Sequence, residues 1–329
     1  MLLKRLIFTS IVGVVILAVI IQSVNLANLS QRLSAASLDW VAASFVTFIC
    51  TYLLRAIRWK IILGNTSKFS NLFHILQIGY LSNNVLPFHL SEVVRSLILK
   101  EKEKVDLGYG LSSIVLERMM DVISLLILVI AAASIFPSLE TRQLWVSGVI
   151  QNSGILATGV LAVLITFTIR PQPFIKIILF TKRIPQVNKL SGNFEEFATN
   201  LSNGIKNMSK KKLNFTVSFA MTFVIWLVDF VAVYFLFNSL GFSITPSAVL
   251  FGYIVTMLLL ALPSTPGYIG SYELFLVGAF LALGYDQSDQ ILAVGILAHI
   301  LFISITTIFG VVGMIALRIP FKNILAKSS

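Results

Sequence analysis

Charge is what this chain has least of: 12% of its 329 residues are Asp, Glu, Lys or Arg. A soluble domain carries about 25%. The place of the missing charge is taken by apolar residues, 57% of the chain, and the mean hydropathy is +0.91. Soluble and disordered classes are thereby excluded, and an all-α polytopic membrane protein remains. Cysteine is nearly absent too. The single one, Cys50, sits in an apolar run, which removes a disulfide framework and a thiolate metal site. The three histidines (His74, His89, His299) have no metal-ligand spacing. There is no Walker loop, no GxSxG elbow and no metal-binding pair, so nucleotide use and hydrolysis have no support and neither cofactor nor metal is expected. Any driving force would be a gradient, the membrane potential or the substrate's own imbalance. Acidic residues are scarce beside basic ones, 14 against 25. The cations lie between apolar spans rather than in a soluble basic domain, which argues membrane orientation and no nucleic-acid partner.

What is present is a series of apolar runs. Full-length spans read at 6–26, 38–58, 108–136, 147–169, 213–238 and 289–317, and two further segments, 70–100 and 246–285, are apolar but broken. The first run follows Lys4 and Arg5 but is long for a signal sequence, and Ser34-Ala35-Ala36 lies far from its end, so it reads as an uncleaved span. The whole chain, 1–329, reads as one integral membrane domain.

The break at LPSTPGYIGSYE, Leu262–Glu273, carries the most information. It joins apolar arms Ala248–Leu262 and Leu274–Tyr285, neither of which reaches the roughly 20 residues needed to cross the hydrocarbon core. Two half-length helices joined by irregular backbone, with Pro263, Pro266, Gly267 and Gly270 as breakers, describe a re-entrant hairpin. Such backbone is tolerated at membrane depth only where protein buries it or water reaches it. The break therefore points to an internal cavity and to transport. Segment 70–100 breaks in the same way at Pro87.

With the N-terminus in the cytoplasm and both broken segments returning to their own side, every Lys and Arg except Arg32 and Arg142 falls on the cytoplasmic side. The positive-inside rule prefers that arrangement, with both termini cytoplasmic, in the cytoplasmic (inner) membrane. Each half, about 1–137 and 145–318, then contains span, span, broken hairpin, span, in opposite topology. Interrupted segments at matching positions of inverted halves point to a transporter's binding site. The hairpins share Gly79-Tyr80, Leu86-Pro87 and Glu92 against Gly252-Tyr253, Leu262-Pro263 and Glu273. In the cytoplasmic loop 170–212, apolar residues recur every three or four positions from Val187 to Met208, an amphipathic helix. It either lies on anionic lipid or packs as a connector against the helix ends.

Four polar clusters interrupt the apolar spans, and each charge there needs a partner, water or a route to the interface. In YLLRAIRWK, Arg55 and Arg58 are i, i+3 neighbours that could grip a lipid phosphate or simply snorkel. In SNNVLPFHLSEVVRS, Asn83, Asn84, His89, Ser91, Glu92 and Arg95 crowd a broken helix, and Glu92 and Arg95 are spaced to neutralise one another. This density fits a wet cavity wall or a solvated turn. Glu117, Arg118 and Asp121 form the third cluster. Arg118 can pair with Asp121, leaving one acid for a partner elsewhere such as Arg95, either as a structural lock or as a substrate contact. The fourth is Glu273, which could bind a cationic headgroup, carry a proton or cap the second arm. Asp229 and His299 stand alone in their spans and read as buried hydrogen-bonded groups.

RAIRW (Arg55–Trp59), NNVLPFHLSEVVR (Asn83–Arg95), ERMMD (Glu117–Asp121) and PSTPGYIGSYE (Pro263–Glu273), in this order, resemble the lysylphosphatidylglycerol synthase transmembrane-region family, also called flippase-like proteins. The likeness covers nearly the whole chain. The family's second motif looks like LP-x-R-x-G-E-x-x-R, where His89 and Ser91 stand here for the basic residue and the glycine. The resemblance implies a lipid translocase, with no room after Leu317 for an aminoacyl-transferase domain, so an aminoacylating enzyme is not expected. Arg55, Arg58 and Arg95 would take the phosphate of an anionic or aminoacylated lipid, and Glu92, Glu117 and Glu273 would balance charge. The alternative is a non-transporting partner of a lipid or cell-envelope polysaccharide enzyme, with the clusters as locks. A transferase using Glu117 or Asp121 as base is a third, weaker reading.

Overall fold

The computed structural model describes residues 26–64, 67–85, 91–135, 212–261 and 265–320. The span 147–169, nearly all of the run 6–26 and of the loop 170–212, and the breakers Pro87 and Pro263 lie outside them, as does His89. The described residues form nine α-helices and one 3₁₀ turn, with no strand among them. The chain is an all-helical membrane protein.

Among the described residues, three helices are long and apolar enough to cross a membrane: α2 (Leu38–Ile62), α6 (Lys212–Ser239) and α9 (Ser288–Leu317). At 1.5 Å per residue each exceeds the ~30 Å hydrocarbon core. Helix α5 (Leu107–Ile135) is as long, 29 residues, but carries Glu117, Arg118 and Asp121 in its first half. The short α1 (Leu26–Ser34) lies beside the start of α9, where Arg32 Nε meets Asp289 Oδ2 at 3.3 Å. Helices α2 and α6 run antiparallel along most of their length. The Ser37 amide donates to the Ser239 carbonyl at 2.8 Å at one end. At the other, Asn214 Nδ2 donates to the Ile61 carbonyl at 3.3 Å.

The remaining helices are too short to span. Helices α3 (Phe69–Val85) and α4 (Ser91–Glu103) form one hairpin. Helices α7 (Pro246–Leu260) and α8 (Ser271–Ala282) form the other, with the 3₁₀ turn Pro266–Tyr268 at its tip. Helix α7 starts with Thr245 accepting from the Ala248 amide and Pro246 in the first turn, where a missing N–H costs nothing. Helix α9 serves as the post on which both hairpins are mounted, from opposite ends. Helix α3 packs on its C-terminal half, with His74 against Gly313 and Leu81 against Gly310, and Asn84 Nδ2 donates to Thr306 Oγ1 at 2.9 Å. Helix α8 packs on its N-terminal half, with Leu276 against Gly295 and Glu273 beside His299. The turn of the second hairpin meets the C-terminal end of α3 between His299 and Thr306, where Gly267 lies against the Asn84 backbone.

A shared packing device explains the Gly-Tyr likeness of the hairpins. A Cβ on Gly79 would lie 2.5 Å from Arg95 Cγ, and one on Gly252 would lie 2.7 Å from Phe280 Cζ. Each first arm thus carries a glycine over which a large buried side chain of the second arm passes.

Candidate functional site

The polar residues converge on the interior between α2, α4, α5 and α6. Arg58, on α2 and fully buried, donates from Nη1 to Asp121 Oδ1 at 2.6 Å and to Thr222 Oγ1 at 2.9 Å. Its Nη2 lies 3.1 Å from Glu117 Oε1. The other Glu117 oxygen accepts from Arg95 Nη2 at 2.9 Å. The Arg95 guanidinium lies 4.3 Å over the Trp59 ring, and the Trp59 indole N–H donates to Ser113 Oγ at 2.9 Å. Arg55 donates to Asp229 Oδ2 at 2.7 Å and lies 5.0 Å over Trp226. Isolated charges at this depth would cost several kcal/mol each, so pairing is the condition for their being there.

Arg118 completes the cluster on different terms. Its side chain is 42% exposed, and it reaches Glu117 at 3.4 Å, Asp121 at 3.5 Å and Glu92 only at 3.9 Å. Glu92 is itself part-exposed and accepts from Ser91 Oγ at 3.0 Å. Four guanidinium groups (Arg55, Arg58, Arg95, Arg118) face four carboxylates (Glu92, Glu117, Asp121, Asp229), so the cluster is neutral as a whole. Its one loose contact is Arg118 with Glu92.

The spacing arguments fare unevenly. The Arg118–Asp121 pair and the Glu117–Arg95 pair both form. The expected Glu92–Arg95 pair does not. Arg95 turns across Gly79 and Trp59 toward Glu117, a carboxylate cut off from water, and leaves Glu92 on the more open side. Arg55 and Arg58 are neighbours on α2 yet clasp different acids. Asp229 and His299, which read as buried hydrogen-bonded groups alone in their spans, are indeed buried and find their partners across helices. The available signal for Asp229 was Thr222, two turns away on one face of α6 and matched to Arg58 and Arg55 on antiparallel α2.

The tip of the second hairpin forms the other half of the site. Gly267 (φ 61) and Gly270 (φ 79) take left-handed conformations that glycine adopts freely. Tyr268 between them also has φ 61, which costs a non-glycine residue about 1 kcal/mol. The turn is held by Thr265 Oγ1 donating to the Ile269 carbonyl at 2.6 Å and Ser271 Oγ donating to the Tyr268 carbonyl at 3.1 Å. Glu273 does cap α8, its Oε2 accepting from the Gly270 amide at 2.9 Å. Its Oε1 lies 2.5 Å from His299 Nδ1, and His299 Nε2 lies 2.6 Å from the Gly267 carbonyl oxygen. Tyr268 stands within electrostatic reach of Arg118, Glu92 and Tyr80. Across the first break, Asn83 Oδ1 accepts from the Ser91 amide at 3.2 Å.

Long apolar helices, two opposed broken hairpins and a buried neutral charge cluster define a polytopic membrane protein with a polar interior. The chain belongs to the family described as the lysylphosphatidylglycerol synthase TM region, whose model matches residues 5–310. It is 25% identical over 261 residues to a UPF0104 membrane protein of Methanothermobacter thermautotrophicus, covering 75% of each chain. It is 22% identical to one of Pyrococcus horikoshii, covering 94% of this chain and 95% of that one. It is also 24% identical to glycosyltransferase AglD of Haloferax volcanii, covering 88% of this chain and 50% of that protein. No solved structure matches the chain.

Proposed function

We propose that this protein moves a phospholipid or lipid-linked headgroup across the cytoplasmic membrane, with both chain termini on the cytoplasmic side. The observation that carries this reading is Arg118, a part-exposed cation at the rim of an otherwise closed, neutral cluster, anchored to Glu117 and Asp121 at 3.4 and 3.5 Å while Glu92 stands off at 3.9 Å. A phosphate can take Arg118 in place of Glu92 without breaking the buried pairs, and the released Glu92 is then free for a cationic group such as an aminoacyl amine. The cluster stays neutral only if the arriving headgroup is zwitterionic or brings a counter-cation. Arg55, Arg58 and Arg95 would act beneath this site as its rigid floor, and the acyl tails would remain in the bilayer. The halves 1–137 and 145–318, as inverted repeats, would rock around the hairpin tips.

The test is headgroup accessibility of fluorescent phosphatidylglycerol and an aminoacylated analogue in proteoliposomes. Movement that Arg118→Gln loses at equal folded yield supports the translocase. No movement of either lipid by folded protein sinks it. The second reading, a non-transporting membrane partner of an envelope glycosyltransferase, is favoured by the match to half of a protein named a glycosyltransferase. It predicts co-purification with such an enzyme and no lipid movement.

A further inference from the structure

The Glu273–His299–Gly267 arrangement does not need a lipid to make sense, and its proton count is fixed by its acceptors. The Gly267 carbonyl can only accept, so His299 Nε2, 2.6 Å away, carries a hydrogen. At 2.5 Å between Nδ1 and Glu273 Oε1, one more proton must lie between the two groups. It sits either on Nδ1, as imidazolium and carboxylate, or on the carboxyl, facing a neutral ring. In both forms the pair holds two protons and is neutral, which suits a site where both side chains are more than nine-tenths buried. Removing one proton leaves a single hydrogen for a ring wedged between two acceptors. If it stays on Nε2, the Nδ1 lone pair faces a carboxylate. If it moves to Nδ1, the Nε2 lone pair faces the Gly267 carbonyl. One of the two hydrogen bonds must break.

We propose that Glu273 and His299 form a proton-binding site whose occupancy latches the tip of the second hairpin to α9. With the proton bound, His299 ties both the start of α8 (through Glu273) and the left-handed turn at Gly267 to one point on α9. With it lost, the turn is held on one side only. The turn is poised to move, because Tyr268 sits in a left-handed conformation that the surrounding bonds must hold in place. Its motion is passed to the first hairpin through Gly267, which lies against the Asn84 backbone, and Tyr268 is within electrostatic reach of Arg118 and Glu92. The other titratable groups around the pair are few. The Tyr272 ring packs edge-on to His299 at 5.8 Å, and Tyr272 is within electrostatic reach of Asp229 as well as Glu273. Beyond it lie Tyr253 of α7 and the Arg55–Asp229 pair, which is neutral as a unit. Tyr268 belongs to the moving turn. No unpaired cation among the described residues faces the pair, so the proton is the charge that sets its state. Under the translocase reading, on which the last step rests, binding from one side of the membrane and release to the other would couple headgroup movement to a proton gradient.

The latch is tested apart from transport. Full-length protein in lipid nanodiscs, labelled with nitrogen-15 histidine, is titrated from about pH 5 to about pH 10, which covers the imidazole window of about pH 5–8 and the range above it. His74→Gln and His89→Gln assign the His299 signals. In parallel, a Cys50→Ser protein carrying Ile269→Cys reports maleimide access to the tip, each rate normalised to free glutathione at the same pH, which removes the pH dependence of the thiol itself. The expected result is that one His299 nitrogen passes from protonated to unprotonated, and that tip labelling rises about tenfold over the same interval, the change expected from one lost hydrogen bond. Glu273→Gln, which keeps the cap but cannot release the proton, should remove the labelling step. A His299 that keeps one protonation state throughout overturns the site, and one that titrates without the labelling step overturns the latch. Phosphatidylglycerol movement that is present but indifferent to an imposed pH gradient and to His299→Gln overturns the coupling and leaves the translocase standing. Absence of any lipid movement refutes the translocase and leaves the latch to its own readouts.

Discussion

Arg58 and Arg118 lie in one charge cluster and are predicted to fail in opposite ways. Arg58 is fully buried and holds Asp121, Thr222 and one oxygen of Glu117. Arg58→Ala strands carboxylates in the apolar interior, and the expected loss is about 3–5 kcal/mol. Thermal unfolding of detergent-purified protein should record it as a sharp fall in midpoint and in folded yield. Arg118 is part-exposed and shares acids that have other partners. Arg118→Gln should cost about 1 kcal/mol or less in the same measurement while abolishing lipid movement. Equal destabilisation by both would mean that Arg118 is part of the lock and the rim site does not exist. At this scale the sequence was only partly legible. Spacing within one helix foretold Arg118–Asp121, because i, i+3 neighbours meet whatever the fold. For Arg95 it left two partners open, Glu92 and the acid left over by Arg118–Asp121, and the choice of Glu117 depends on the passage across Gly79 and Trp59. The partners of Asp229 and His299 could not be read locally, since Arg55 lies 174 residues from Asp229 and Glu273 lies 26 from His299.

Helices that are too short announce themselves, and so both hairpins could be read from the sequence. Their arms fall below the length of a span, and Pro266, Gly267 and Gly270 mark a turn that does occupy left-handed backbone. Observed arms start and stop within a few residues of the expected ones: Pro246–Leu260 and Ser271–Ala282 against Ala248–Leu262 and Leu274–Tyr285. What stayed hidden was the purpose of the Gly-Tyr likeness, since a glycine in an apolar run does not say what passes over it. Gly252→Ala puts a methyl 2.7 Å from Phe280, a core side chain that cannot move aside freely. The expected loss is about 1–3 kcal/mol. Adding Phe280→Leu should recover part of it, and the non-additivity of the double mutant measures the contact. Strict additivity of the two losses would place the strain elsewhere. Gly79→Ala should do more harm, because Arg95 cannot shift without loosening Glu117.

At the scale of the whole molecule, what distinguishes a structural lock from a moving transporter lies where the two hairpins pack on α9. Asn84 on α3 bonds to Thr306, about two turns along α9 from His299, which holds the turn of the second hairpin. If headgroup passage requires the hairpins to part, a covalent tie between α3 and α9 at this point must stop it. Asn84→Cys with Thr306→Cys, in a Cys50→Ser background, places two thiols where side-chain atoms are 2.9 Å apart, within reach of oxidation or a short bismaleimide. Cross-linked protein in proteoliposomes is expected to lose lipid movement, and reduction of the disulfide form should restore it. Each single cysteine, treated alike, controls for modification alone. Unimpeded movement in the cross-linked protein would mean that α3 and α9 travel together, which would confine the motion to the second hairpin and its latch. Rocking of two halves predicts the first outcome and a single hinged tip predicts the second, so one lipid assay on one cysteine pair separates the two mechanisms.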